Sequence, residues 1–175
     1  DHNIPKMVGE SFAYHCYQNT LANEIFAENV IDLFEKNPRL GLLVPPTPCH
    51  GPYYSIIGME WQGDYQNVKE LANRWGITVD INESKPAVAP LGTTFWFRKE
   101  ALRKLYEVGL TYGDFPEEPT GSNDGNIMHA IERLYPFVAQ QSGYYSAWGL
   151  SDKYSKMEIT NLYKMFRDIN QTMFW

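Results

Sequence analysis

Apolar side chains recur at helical spacing through the first part of the chain, from about residue 10 to residue 35. Asn23 followed by Glu24 is typical of a helix N-cap. Pro38 ends this helix, because proline has no N–H with which to continue the hydrogen-bond ladder. The continuous apolar run 40–44 then predicts a short strand that is covered on both faces, as parallel strands are. The apolar positions that share one face of the helix are Phe26, Val30, Leu33 and Phe34.

The middle of the chain alternates between helical and extended patterns. Asp64 predicts the start of a helix that is closed by Gly76. Runs rich in β-branched and aromatic residues predict strands over 77–81 and 93–98. Residues 99–108 again show helical spacing and predict a short helix.

The last part of the chain predicts two helices and one strand. Asp124 stands where a helix begins, and we expect that helix to be interrupted at Pro136. Residues 144–148 predict a short aromatic strand, and residues 152–170 an amphipathic helix. The resulting order is helix, strand, helix, strand, strand, helix, helix, strand, helix, which is that of an α/β domain.

Length and composition narrow the classes of protein that fit. The 175 residues, 43% of them hydrophobic, predict a single domain over 1–175 with a sizeable core. Acidic residues outnumber basic ones 21 to 15, which gives a net charge of −6 and argues against a nucleic-acid partner. Cys16 and Cys49 show no spacing of a structural zinc site.

The ends of the chain and its apolar runs bear on its location. The longest apolar runs are far shorter than the roughly 18 residues of a transmembrane segment. No basic stretch followed by an apolar one marks a secretory leader. We therefore expect a cytoplasmic protein without a transmembrane segment. Because the chain opens without an initiator Met and closes on apolar residues, we also expect it to be a piece of a longer polypeptide.

An acidic loop lies between two apolar elements. Asp114, Glu117, Glu118 and Asp124 fall within eleven residues, and prolines between them stiffen the backbone. A carboxylate at a helix start stays ionised beside the free N–H groups there, so it can act as a general base or bind a metal. The alternative is that Asp124 only caps a helix and that the two glutamates lie in a solvated loop.

His129 and Glu132 are three residues apart and share one face of the helix that follows the loop. One such pair is less than a metal site needs, although His129 is the candidate metal ligand of this chain. Arg133 beside them favours an ordinary hydrogen-bonded surface cluster as the alternative.

A proline-rich loop follows the predicted strand 40–44 and carries aromatic side chains. Flat aromatic faces beside polar groups suit the stacking of a sugar ring. The loop also leaves the carboxyl end of a strand, where open α/β sheets bind ligands. Packing of the domain edge is the alternative reading of these aromatics. The candidate substrate-binding residues of this region are His50, Tyr53, Tyr54 and Trp61.

Three segments taken together resemble the rhamnan synthesis protein F family, namely residues 90–102, 114–118 and 123–134. The first contains a Gly-x-Thr-Phe-Trp-x-Arg strand that ends at Arg98, and the last an Asp-Gly…His-Ala-Ile-Glu-Arg helix from Asp124 to Arg133. Residues 37–46 and 71–77 are similar to upstream segments of the family in the same order. The family usually has Gly-Gln shortly before the Asp-Gly pair, whereas this chain has Gly121-Ser122-Asn123.

The resemblance implies a glycosyltransferase, expected to be a rhamnosyltransferase, of bacterial cell-surface polysaccharide biosynthesis. The implied fold is part of a GT-A-like (nucleotide-diphospho-sugar transferase-like) sheet flanked by helices. Because no convincing Asp-x-Asp motif is present, the chain resembles the acceptor-side, catalytic half of such an enzyme.

For the reaction, the resemblance implies inverting transfer from a nucleotide sugar, with dTDP-rhamnose as the suspected donor and a glycan or glycolipid as acceptor. Asp124 is then the catalytic base, with Glu117 and Glu118 as rivals, and Arg98 and His129 join the substrate-binding candidates. Mg²⁺ or Mn²⁺ is the expected cofactor of the full-length enzyme, which would work in the cytoplasm or peripherally at the inner face of the membrane.

Two other classes of protein stay open. The first is a non-catalytic carbohydrate-binding or scaffold module of a polysaccharide-assembly protein, which the missing Asp-x-Asp favours. The second is a glycoside hydrolase with two carboxylates. Hydrolases place these on separate framework elements, so three acids on one loop fit that class poorly.

Overall fold

The computed structural model describes residues 6–48, 60–85, 87–117 and 125–174. In this part of the chain, helices pack around a small sheet, so the predicted α/β class is confirmed. The helices are α1 (Lys6–Gln18), α2 (Glu24–Lys36), α3 (Tyr65–Trp75), α4 (Arg103–Glu107), α5 (Ile127–Gln141) and α6 (Asp152–Phe174), with 3₁₀ turns at Lys99–Leu102 and Tyr112–Asp114. The strands are β1 (Leu40–Val44), β2 (Trp96–Phe97) and β3 (Tyr145–Trp148).

The sheet has the order β2–β1–β3 in the described residues. Strand β1 pairs antiparallel with β2, with Leu42 opposite Phe97, and parallel with β3, with Val44 opposite Trp148. All five residues of β1 are buried, which confirms the strand predicted from its continuous apolar run. The central strand is therefore covered on both faces.

The first two helices are separated by a turn in which Ala22 has a φ of +36°. The predicted cap of α2 is confirmed, since the Asn23 side chain accepts a hydrogen bond from the Phe26 N–H at 2.9 Å. The predicted end is confirmed as well, because α2 stops at Lys36 immediately before Asn37 and Pro38.

Two predicted strands differ in the structure. Residues 77–81 form no strand, because side chains satisfy their backbone: the Thr78 N–H donates to Gln141 Oε1 and the Tyr65 hydroxyl donates to the Ile81 carbonyl. The strand predicted over 93–98 is reduced to Trp96–Phe97. It follows a turn in which Gly92 and Thr93 have φ values of +91° and +52°.

The interruption predicted at Pro136 is wrong, because α5 continues through this residue to Gln141. A proline inside a helix removes one backbone hydrogen bond. Here Phe137, Val138 and Ala139 directly after it are buried in the core, and this burial outweighs the lost bond.

The core lies where β1, α3 and α5 meet. Leu42 and Val44 of β1, Val68 of α3 and Leu134 and Val138 of α5 are each inaccessible to solvent. None of the helices formed by the described residues is both long and apolar enough to cross a membrane.

Candidate functional site

A cleft of about 240 Å³ lies between α3 and the start of α5. Polar side chains from α3 form one wall, and the residues just before and at the start of α5 form the other. Its lining consists of Asn67, Glu70, Leu71, Arg74, Gly125, Asn126, Ile127 and Ala130. The cleft thus opens directly beside the residue that follows the predicted base Asp124.

A buried ion pair between Asp64 and Arg133 lies beneath this region. The Asp64 side chain is 0% exposed and the Arg133 side chain 1%, and Arg133 Nη1 lies 3.3 Å from Asp64 Oδ2. Arg133 also donates from Nε to the Glu60 carbonyl at 2.8 Å and from Nη1 to the His129 carbonyl at 3.2 Å. Because burial of unpaired charge is costly, this network fixes α5 to the segment before α3.

The other contacts of Asp64 reach the cleft. Its Oδ1 accepts from Asn67 Nδ2 at 3.1 Å, and its Oδ2 lies 3.4 Å from the Gly125 backbone N–H. The start of α3 was predicted correctly, but the side chain of Asp64 does not cap the helix. It binds Arg133 and Gly125 instead, so one carboxylate holds both walls of the cleft.

Asn126, rather than Asp124, is the N-cap of α5. Its Oδ1 accepts from the backbone N–H groups of Met128 at 2.9 Å and His129 at 3.3 Å. Its Nδ2 is buried and has no hydrogen-bond partner among the described residues. Asp124 precedes the helix and lies outside the described residues, as does Glu118.

Glu132 and Arg133, the charged residues that end the Asp-Gly…His-Ala-Ile-Glu-Arg segment on α5, are buried. Glu132 Oε1 accepts from the Gly92 N–H and the Thr93 hydroxyl, both at 2.8 Å, and so holds the turn before β2. The surface cluster predicted around Glu132 and Arg133 is therefore wrong in one respect, because hydrogen bonds hold both residues inside the protein. No group of three potential metal ligands occurs in the part of the chain described, and the metal role of His129 stays a prediction.

The described part of the acidic loop is tied to α3. Asp114 Oδ1 accepts from Arg74 Nη2 at 3.0 Å, and its Oδ2 accepts from the Thr111 N–H and hydroxyl. The hydrogen bond from the Thr111 N–H, the one from its hydroxyl and the contact with Arg74 hold the pKa of Asp114 below its usual value. Glu117, a rival for the catalytic base, is exposed at the end of this described stretch.

Of the four aromatic residues predicted to bind substrate, the structure describes one. His50, Tyr53 and Tyr54 lie outside the described residues. Trp61 is 5% exposed, stacks on Phe137 and donates its indole N–H to the Lys85 carbonyl at 3.0 Å. It lies in the core, and its role in acceptor binding stays a prediction.

The Arg98 side chain donates hydrogen bonds to backbone carbonyls of α2 and β1. It follows β2 and donates from Nη2 to the Phe34 carbonyl at 2.7 Å and from Nε to the Leu40 carbonyl at 3.2 Å. Its guanidinium also lies 5.6 Å from the centre of the Phe34 ring. A cation at the end of α2 complements the partial negative charge there, and this contact ties the helix to the sheet.

A second, larger groove of about 760 Å³ lies between α2 and the start of α6. Leu43, Trp148 and Ser151 line it, so it reaches the carboxyl ends of the parallel strands β1 and β3, where open α/β sheets bind ligands. Lys153 and Lys156 of α6 also belong to its lining. A groove therefore exists at the sheet edge from which the predicted binding loop departs.

Sequence reasoning missed the polar wall of the smaller cleft. Asn67, Glu70 and Arg74 are three and four residues apart and therefore share one face of α3. The signal was present, because Val68, Leu71 and Trp75 occupy the buried face of the same helix. What the sequence could not show is that this polar face meets the start of α5.

One family profile and two curated relatives match this chain. The sequence profile of rhamnan synthesis protein F matches residues 2–144. A protein of Xanthomonas campestris pv. campestris strain B100, named "Uncharacterized protein WxcX", is 31% identical over 115 residues, which is 66% of this chain and 15% of that protein. Its counterpart in strain ATCC 33913 gives the same values. The chain thus spans about 15% of the length of these relatives, and no solved structure matches it.

Proposed function

Because the chain belongs to the rhamnan synthesis protein F family, we propose that it is the acceptor-side, catalytic half of a glycosyltransferase of bacterial cell-surface polysaccharide biosynthesis. The reaction is an inverting transfer of rhamnose from a nucleotide sugar, dTDP-rhamnose, to a glycan or glycolipid acceptor. The fold is the corresponding part of a GT-A-like architecture. We expect the protein to work in the cytoplasm or peripherally at the inner face of the membrane.

One observation supports this proposal above the others. The cleft between α3 and α5 adjoins Gly125, and the carboxylate of Asp64 lies 3.4 Å from the Gly125 N–H, so the residue next to Asp124 is held at a concave surface. A general base has to be held close to the hydroxyl whose proton it removes. Gly125 is held beside the cleft by Asp64, which is itself paired with Arg133, and its position next to Asp124 in the chain supports Asp124 as the base.

In the proposed step, Asp124 takes the proton of an acceptor hydroxyl while that oxygen forms a bond to the anomeric carbon of the donor. The bond from this carbon to the diphosphate oxygen breaks, and the nucleoside diphosphate leaves with the electron pair. Holding both sugars in position can lower the barrier by roughly 7–11 kcal/mol. Glu117 and Glu118 are the rival bases.

Mg²⁺ or Mn²⁺ would neutralise the leaving diphosphate. The described residues do not make a site for it, because they contain no group of three potential ligands and the Glu132 carboxylate beside His129 is bonded to Gly92 and Thr93. We therefore assign no step of the reaction to a metal held by this part of the chain.

The test is an assay of the full-length protein against a panel of nucleotide sugars that includes dTDP-rhamnose, with and without divalent metal. Asp124→Asn should lower turnover by a factor of about 10²–10⁴, the usual contribution of a positioned base. Stability should change little, because Asn126 and not Asp124 caps α5.

Glu117→Gln and Glu118→Gln are the matched controls. Loss of turnover in one of these two variants, with Asp124→Asn still active, would move the base to that glutamate. Consumption of none of the nucleotide sugars, together with retained binding of glycans, would favour a non-catalytic carbohydrate-binding or scaffold module instead.

A further inference from the structure

The size of the cleft between α3 and α5 limits what it can hold. Its volume of about 240 Å³ corresponds to about eight waters at ~30 Å³ each, and it lies below the ~300–1,000 Å³ of pockets for drug-sized ligands. One pyranose ring is of this size. A nucleoside diphosphate sugar, with a base, two further rings and two phosphates, is too large for it.

The lining of the cleft has the two kinds of surface that a sugar ring presents. Ile127 offers apolar contact for the C–H face of a ring, and the almost fully buried Leu71 and Ala130 complete the apolar lining. Asn67 and Glu70 offer hydrogen-bonding groups for hydroxyls at the edge of the ring. An apolar floor with a few placed polar groups is the usual composition of a small-ligand site.

Hydrogen bonds within the protein fix the amide side chains of the cleft. Asn67 Nδ2 donates to the buried carboxylate of Asp64, which fixes the orientation of the amide. The Asn126 side chain is fixed by its cap bonds at Oδ1. These bonds limit the side-chain freedom that is lost when a ligand binds.

The charges at the cleft select among sugars. Arg74 is paired with Asp114 at 3.0 Å, and hydrogen bonds from Thr111 also hold that carboxylate. The cation is thereby neutralised, whereas Glu70 adds a negative charge to the lining and the whole chain carries −6. Like charges repel across short distances, so an uncharged sugar is favoured over a uronate or a phosphate.

We propose that this cleft is a subsite for one uncharged pyranose ring of the acceptor, bound by Asn67 and Glu70. The inference rests on the proposed function for the identity of the ligand as an acceptor. Its binding chemistry rests on the cleft alone. The two can therefore be tested separately.

The experiment is saturation-transfer-difference NMR on the full-length protein, with methyl α-L-rhamnopyranoside and methyl α-D-glucopyranoside as neutral probes and glucuronate as the charged one. At least one neutral probe should bind, and glucuronate should bind more weakly. Glu70→Ala should lower the affinity for the neutral probe by about tenfold or more, since it removes hydrogen bonds to a charged group.

Glu28→Ala is the matched control, because it makes the same change at an exposed position of α2. It should leave binding unchanged. Asn67→Ala is the second variant and should also weaken binding, although it removes a contact of Asp64 as well. Glu70 is exposed, so Glu70→Ala should fold normally.

The outcomes separate this inference from the proposed function. Binding that depends on Glu70 without consumption of any nucleotide sugar would keep the subsite and overturn the glycosyltransferase. Transfer activity with a probe affinity that neither Glu70→Ala nor Asn67→Ala changes would overturn the subsite, as would the absence of binding by both neutral probes. Where transfer is observed, Glu70→Ala should raise KM for the acceptor and leave KM for the donor unchanged.

Discussion

Helices α5 and α6 have similar amphipathic patterns but opposite surroundings. Nine of the fifteen residues of α5 are buried, and they include Glu132 and Arg133. In α6, apolar side chains at spacings of three and four residues are exposed, with Ile159 and Phe166 each at 66%. The other exposed members of this row are Leu162, Ile169 and Met173.

The difference shows that periodicity identifies a face of a helix but not what covers it. The apolar face of α5 meets β1 and α3, and its polar motif residues find partners in the turns around it. Near its start, α6 is anchored by Tyr154, whose ring packs edge-on against His15 at 4.7 Å. The candidate cleft lies beside α5, the helix whose charged residues Glu132 and Arg133 are buried and hydrogen-bonded.

Arg133→Met should have the largest effect on the stability of the protein through α5. The buried carboxylate of Asp64 would lose its arginine partner, and the Glu60 carbonyl its donor. Removing one member of a buried ion pair costs about 3–5 kcal/mol, so we expect a fall of that size in the free energy of unfolding measured with urea.

Arg167→Met on α6 is the control, since the Arg167 side chain is 57% exposed and, in the described residues, pairs only with the half-buried Asp168 at 3.7 Å. It should change the free energy of unfolding by no more than about 0.5 kcal/mol. A loss below about 1 kcal/mol for Arg133→Met would show that α5 is not held in the way described.

A smaller effect is expected where the central strand meets its neighbours. A Cβ on Gly41 would lie 2.6 Å from Tyr144 Cβ and 2.9 Å from Ala101 Cβ. Gly41→Ala should therefore destabilise the protein by about 1–3 kcal/mol through overpacking.

Gly9→Ala in α1 gives the opposite sign. A Cβ at Gly9 would meet nothing within 4 Å, and alanine favours the helix by roughly 0.5–1 kcal/mol over glycine. The two variants make the same chemical change, and thermal unfolding should shift down for one and up for the other. Equal shifts would contradict the close packing of β1 against residue 144.

The parts of the fold that could be predicted are those in which local and tertiary preferences agree. Strand β1 is an apolar run that is buried on both faces, and Gly76 ends α3 at a φ of +66°, which glycine tolerates. The failures have tertiary causes. Residues 77–81 are rich in β-branched side chains, yet Gln141 and Tyr65 satisfy their backbone in place of a neighbouring strand.

The candidate site was predictable only in part, for the same reason. The resemblance drew attention to the start of α5, and the structure places a cleft there. Asn67 and Glu70 lie almost sixty residues earlier in the chain, and nothing in the local pattern links them to Gly125. The link is the carboxylate of Asp64, which the sequence suggested only as a helix cap.

The smallest effect on stability is expected on the exposed face of α6. Phe166 lies at 66% exposure in the middle of the apolar row of α6, so Phe166→Ser removes little buried surface. The free energy of unfolding of this chain should change by no more than about 0.5 kcal/mol, as for other exposed positions. Leu134→Ala on α5, at a side chain inaccessible to solvent, is the contrasting change and should cost about 2–5 kcal/mol. A loss above about 1 kcal/mol for Phe166→Ser would mean that this face of α6 is covered in solution. Both helices would then be covered, and α5 and α6 would differ only in the surface that covers them.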